Sequence, residues 1–173
     1  MRPLAMLTLA AGLTIGTAVQ ADDKPEDKAK AVAVAFMKAL KAKDVDAALK
    51  EADVPFLFPD LVPKGQPKLD KLEKRDAVTT SLKSLIEKEK KWDVPIAVGK
   101  VVPLAEFKKA AAEDPKAPEM LKQILDVGGA DGFAVFMNDE KDQEAGGLVV
   151  RIKGGSAKVV GIVPVGRAAP KKP

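Results

Sequence analysis

The chain has 173 residues, with 29 Lys and Arg against 25 Asp and Glu, a formal charge of +4 and a pI of about 9.1. It contains no Cys, no His and no Tyr. That excludes disulfides, thiolate nucleophiles and thiolate metal sites, removes the commonest metal ligand and general base, and leaves no phenolic donor, so neither a metal nor a cofactor is expected.

The first twenty-one residues read as an address. Met1-Arg2-Pro3 supplies one positive charge, Leu4 to Ile15 is apolar apart from small residues and Thr, and Val19-Gln20-Ala21 offers small residues before Asp22-Asp23. A charged start, a short apolar stretch and an A-x-A-like end describe a secretory signal peptide, predicting cleavage after Ala21 and export to the periplasm or beyond the cell. The apolar run falls short of the roughly 20 residues a span needs, so no transmembrane segment is expected after cleavage. Only Arg2 leaves with the leader, and the last ten residues hold Arg167, Lys171, Lys172 and no acid. Residues 22–163 are then balanced, 25 basic groups against 25 acidic. The basicity belongs to a Pro/Ala/Lys tail over 164–173, expected to be disordered, and no specific nucleic-acid partner is implied.

Residues 22–163 read as a single domain. After a charged lead-in over 22–28, apolar residues at Ala29, Val32, Ala33, Phe36 and Leu40 fall at helical spacing. Asp44 suits the N-cap of a second helix, Val45 to Ala52. Val54 to Pro59 holds two prolines that oppose a helix, and reads as a short edge strand. A Pro/Gly loop leads to a weakly alternating strand, Lys68 to Lys74. Asp76 is placed to cap a third helix with Val78, Leu82, Leu85 and Ile86 on one face. A strand over Val94 to Val102 follows, then helices over Leu104 to Glu113 and Pro118 to Asp126, the last closed by Gly128-Gly129. Gly132 to Met137 reads as a strand, and Gly147 to Lys153 with Ala157 to Val163 as a hairpin around Gly154-Gly155. Helices in front and strands behind predict an α+β fold, with helices packed on one curved antiparallel sheet.

The run Ala35-Phe36-Met37-Lys38-Ala39-Leu40-Lys41-Ala42-Lys43-Asp44-Val45-Asp46-Ala47-Ala48-Leu49 resembles the opening helix, turn and second helix of the nuclear-transport-factor-two-like (SnoaL-like) superfamily. Lys74-Arg75-Asp76-Ala77-Val78 is similar to the step that begins the third helix of those domains, and Gly146 to Pro164 fits their last two strands. The resemblance implies a cone-like domain over most of residues 26–163. The helical stretch 104–126 is longer than the strand connection usual there. Because the superfamily includes isomerases, cyclases, dehydratases and transport and assembly modules, it does not choose a function. An isomerase of the ketosteroid type implies an Asp base with a Tyr/Asp oxyanion hole, and this chain has neither Tyr nor His. Asp53, Asp93 and Asp131 remain as pocket carboxylates, each read more simply as a strand-edge or turn residue.

The hairpin register yields the sharpest expectation. A two-residue Gly154-Gly155 turn pairs Lys153 with Ser156, Ile152 with Ala157, Arg151 with Lys158, Val150 with Val159 and Val149 with Val160. Arg151 and Lys158 then lie side by side, read most simply as two solvated cations splayed apart near the turn, or else as flanking an acid on the next strand or an anionic ligand. Deeper in, the hairpin is apolar on both faces and needs cover on both. With helices on one face, the other is expected to line a pocket or meet a second subunit. Asn138 to Glu144 lacks the Gly an EF-hand loop needs, and Gly128 to Gly132 lacks the Lys-Ser/Thr of a phosphate loop.

Two readings follow. The first is an exported, non-catalytic association module using its sheet face, with a homodimer as its simplest form. The alternative is a cone binding a small apolar or anionic ligand, isomerase- or cyclase-like if catalytic. Arg151, Lys158, Asp53 and Asp131 are the candidate ligand-binding residues, none is assigned a catalytic role, and the balance leans away from an enzyme.

Overall fold

The computed structural model describes residues 24–60, 68–88, 96–113, 119–138 and 144–164. The expected leader, the tail beyond Pro164 and Asp93 lie outside these residues. The element order is α1 (Pro25–Lys41), α2 (Val45–Glu51), β1 (Ala52–Asp60), β2 (Lys68–Leu72), α3 (Arg75–Lys88), β3 (Ala97–Pro103), α4 (Leu104–Glu113), α5 (Glu119–Gly128), β4 (Phe133–Asn138), β5 (Glu144–Lys153) and β6 (Ser156–Val163).

α1 begins at Pro25, a turn earlier than the apolar spacing alone indicates. Proline suits a first turn because it has no N–H to leave unbonded, and Glu26 and Asp27 favour the positive end of the helix dipole. Its end is a Schellman motif: the Lys43 amide donates to the Leu40 carbonyl and the Asp44 amide to the Ala39 carbonyl. Lys43 takes the left-handed position, at φ 59°. Asp44 then caps α2 as expected, its Oδ1 accepting from the Ala47 amide at 2.9 Å. Asp76 lies inside the first turn of α3 rather than at its cap.

The six strands form one sheet in the order β2-β1-β6-β5-β4-β3. The architecture is the expected α+β, with two corrections. The sheet is mixed rather than wholly antiparallel, because β1 and β6 run parallel. β1 is interior, since β2 pairs with it from Phe56↔Leu72 to Asp60↔Lys68 and takes the edge. Pro55 is accommodated there because the β1–β6 register shifts between Ala52 and Leu57, leaving no regular ladder for its missing N–H to interrupt. The hairpin pairs Lys153↔Ser156, Ile152↔Ala157, Arg151↔Lys158 and Val150↔Val159 as expected. Val149 pairs with Gly161 instead of Val160, since a bulge inserts Val160 into β6.

Helices cover both sheet faces. On the first, α1 lies across β5 and β6 and reaches β3 and β4, while α2 and α3 pack on β1. Their shared core includes Val32, Phe36, Leu40, Phe56, Val78, Leu82, Val135, Met137, Leu148, Val150 and Val159. The rings of Phe36 and Phe56 meet at 6.2 Å, tilted by 38°. On the second face α5 crosses β5 and β1, and α4 touches β3. Leu57, Leu69, Leu104, Val127, Ala134, Val149 and Val160 form that core. The expectation that helices cover only one face is therefore overturned: the apolar second side of the hairpin is met within the chain.

Candidate functional site

Strand alternation sorts the polar candidates. Ala52, Val54, Val150, Ile152, Ala157 and Val159 all belong to the first-face core, so Asp53, Arg151 and Lys158 point to the second face, at the hairpin end beyond α5. There the two cations are not simply splayed into solvent: an acid on the next strand, Asp53, lies beside Arg151. Arg151 donates from one nitrogen to Asp53 Oδ2 at 2.6 Å and to the Val54 carbonyl at 3.0 Å, reaching across β6. Lys158 donates to the Lys50 carbonyl at the end of α2. Burial alone would raise the Asp53 carboxyl. Its hydrogen bonds from the Val54 amide and Arg151, and the positive charges of Arg151 and Lys153, outweigh that and hold it below its ordinary value. Asp53, Arg151 and Lys158 thus form a satisfied polar cluster, in which Asp53 and two backbone carbonyls offset the cations without an anionic ligand.

The interior of the cone, between α1–α3 and the sheet, is packed. Phe36, Phe56 and Met137 are among its fully buried side chains, and no polar or charged residue is buried among the described residues. The gap bounded by Leu49, Ala52, Asp53, Val54, Arg75 and Val78 measures about 10 Å³, room for about one water. Acid–base chemistry on a small substrate needs a larger space with a polar group aimed into it.

Asp131 lies apart, in the turn between α5 and β4, on an open recess of about 460 Å³. Pro25, Pro103 and the turn Gly154-Gly155 form its rim, and Phe133 and Ile152 contribute apolar surface. Of the four candidate residues, three come together and the fourth does not.

A feature that the sequence reading did not anticipate lies on the second face. α4 and α5 are pinned at their base, where Leu104 packs beside Gly128 and Gly132 and donates its amide to the Gly132 carbonyl at 2.8 Å. Toward their other end a groove of about 200 Å³ opens between the helices and the sheet. Phe107, Met120, Leu121 and Ile124 line it from the helices, and Ala134, Phe136, Val149 and Val163 from β4, β5 and β6. None of its lining side chains is charged. The available signal was α5 itself, whose apolar residues Met120, Leu121, Ile124, Leu125 and Val127 form a stripe wider than one buried seam requires.

Among the described residues no group of three or more His, Cys, Asp or Glu side chains is placed to hold a metal ion. No described helix is long and apolar enough to cross a membrane.

No protein-family profile matches the sequence, and no curated protein matches it. Among solved structures, the chain is similar to a "putative polyketide cyclase" from Xanthomonas campestris pv. campestris, with 13% identity and a TM-score of 0.37, over 81% of this chain and 90% of that one. So loose an overlap transfers no activity.

Proposed function

We propose that this chain is an exported, non-catalytic association module, and that it makes contact through the apolar groove beside α4 and α5, with a second copy of itself as the simplest partner. The groove carries this reading. Half-buried Phe107, Met120, Ile124, Phe136 and Val163 converge there with no charged neighbour in the lining. Large apolar side chains at the centre of a concave patch are the usual anchors of protein contacts. α5 both walls the groove and carries Met120 and Leu121 on its rim, so a two-fold pairing sets each copy's helix against the other's groove. The bare sheet face expected from the sequence is replaced by this smaller surface, because α5 occupies the rest.

Light scattering over a concentration series tests the proposal. The wild-type chain should rise toward twice its monomer mass, while Leu121→Glu should stay monomeric with its thermal midpoint little changed. A wild-type monomer at every concentration would sink it. A second reading, small-molecule binding, moves from the cone to the same groove, whose volume exceeds the roughly 150 Å³ apolar cavity known to accept benzene. Nile red fluorescence that rises with the monomeric wild-type chain, and not with Leu121→Glu, would favour it.

A further inference from the structure

We propose that the recess at Asp131 is a binding site for a small organic cation with an apolar body, an alkyl- or arylammonium. At about 460 Å³ it falls in the range of small-molecule sites. Asp131 is the one charged residue in its lining, and among the described residues that carboxylate has no hydrogen-bond or ion-pair partner. Asp53, by contrast, is held by Arg151. Phe133 and Ile152 give the recess an apolar surface on which a hydrocarbon body rests while its charged end meets the carboxylate. A cation near the face of the Phe133 ring gains a further attraction.

The surroundings favour a cation over an anion. α1 begins at the rim, and a helix start ordinarily attracts anions through its unbonded amides. Here Pro25 has no N–H, and the amides of Asp27 and Lys28 already donate to the Lys24 carbonyl at 2.9 and 3.1 Å. Asp27 adds negative charge to the same turn, and Glu26 does so in part, being paired with Lys30. Of the nearby cations, Lys28 donates to the Gly155 carbonyl at 3.3 Å. Lys153 acts on Asp53, on the opposite face of the hairpin. Lys30 is held by Glu26 at 3.4 Å, one turn further along α1, and Lys24 stands at the start of the helix beside Asp27.

The test is an amide-resolved NMR titration of the full chain at neutral pH with three probes of similar shape: benzylammonium, benzyl alcohol and phenylacetate. Benzylammonium should give saturable shifts at Gly132, Phe133, Ile152, Gly154 and Gly155, benzyl alcohol weaker ones, and phenylacetate none. Asp131→Asn should weaken benzylammonium binding about three- to fivefold, the range an exposed ion pair supports, and the wild-type affinity should fall with added salt. Asp126→Asn, an exposed acid on α5 outside the recess lining, should leave it unchanged. Equal shifts from all three probes, shifts that do not saturate, or an Asp131→Asn chain that binds as the wild type does would overturn the proposal. Asp131 is exposed in a turn, so its substitution leaves the fold intact for the comparison.

Discussion

Arg151 stands on β5 and its carboxylate partner Asp53 on β1, with β6 between them, so one guanidinium ties three neighbouring strands at the hairpin end of the sheet. The folded chain holds the Asp53 carboxyl below its ordinary value, so it is the unfolded chain that takes up the extra proton as pH falls. The stability this group contributes is whole above the unfolded value, near pH 4, and is lost as pH drops through the folded one. Asp53→Asn should therefore cost about 0.5–1 kcal/mol at pH 7, a figure kept small because the Asp53 side chain is 44% exposed. The gap to the wild type should narrow in urea titrations as pH falls below the unfolded value; a gap constant across pH would assign the effect to packing. Lys43 offers a change of opposite sign. It holds the left-handed position of the α1 Schellman motif, where a side chain is strained and glycine is not. Lys43→Gly should raise stability by about 0.5–1 kcal/mol in the same assay, and a loss would show that the Lys43 side chain contributes more than its backbone costs.

Among the elements, the base of α4 and α5 rests on a backbone approach that permits no side chain. A Cβ added at Gly132 would lie 2.5 Å from the Gly128 carbonyl oxygen and 2.9 Å from that of Val150. Neither oxygen can swing aside as a side-chain end can, so Gly132→Ala should lower stability by about 1–3 kcal/mol in thermal melts. Gly128→Ala should cost less, because the nearest obstacle is the movable Leu104 Cδ1 at 2.2 Å. Local signals made most elements legible in advance. The Asp44 cap, the Gly154-Gly155 turn and the pairing from Lys153↔Ser156 to Val150↔Val159 follow from residues close in sequence. Beyond them the Val160 bulge escapes, because Val159-Val160 is apolar on both faces and alternation gives no phase there. The same double-sided apolarity showed that the second face needs cover, but the partners α4 and α5 come from an earlier part of the chain. No local pattern says on which face they land. Asp53 was legible as a candidate acid and Arg151 as a cation able to flank one, though two solvated, splayed cations were the simpler reading. That they are partners depended on β1 lying beside β6, a pairing across about a hundred residues.

For the whole molecule, that pairing decides where cohesion comes from. Helices cover both sheet faces, so the strands carry apolar residues on each side, with Leu57 and Val160 facing α5 while Phe56 and Val159 face α1 to α3. The centre of this arrangement is built from the first strand and the last two. As the chain is synthesised, β1 finds β2 early, but a two-stranded ribbon is at most marginally stable in water. The other side of β1 waits for a partner that emerges last, and closing so long a loop is slow. A chain ended after residue 143 should accordingly show no cooperative thermal transition, although it retains α1 to α5; a sharp melt from that fragment would place the folding nucleus among the helices. The parallel β1–β6 seam thus acts as a clock. Because β1 completes its pairing only against β6, the strand order sets the sequence of events: the sheet's centre closes after about a hundred further residues have been made.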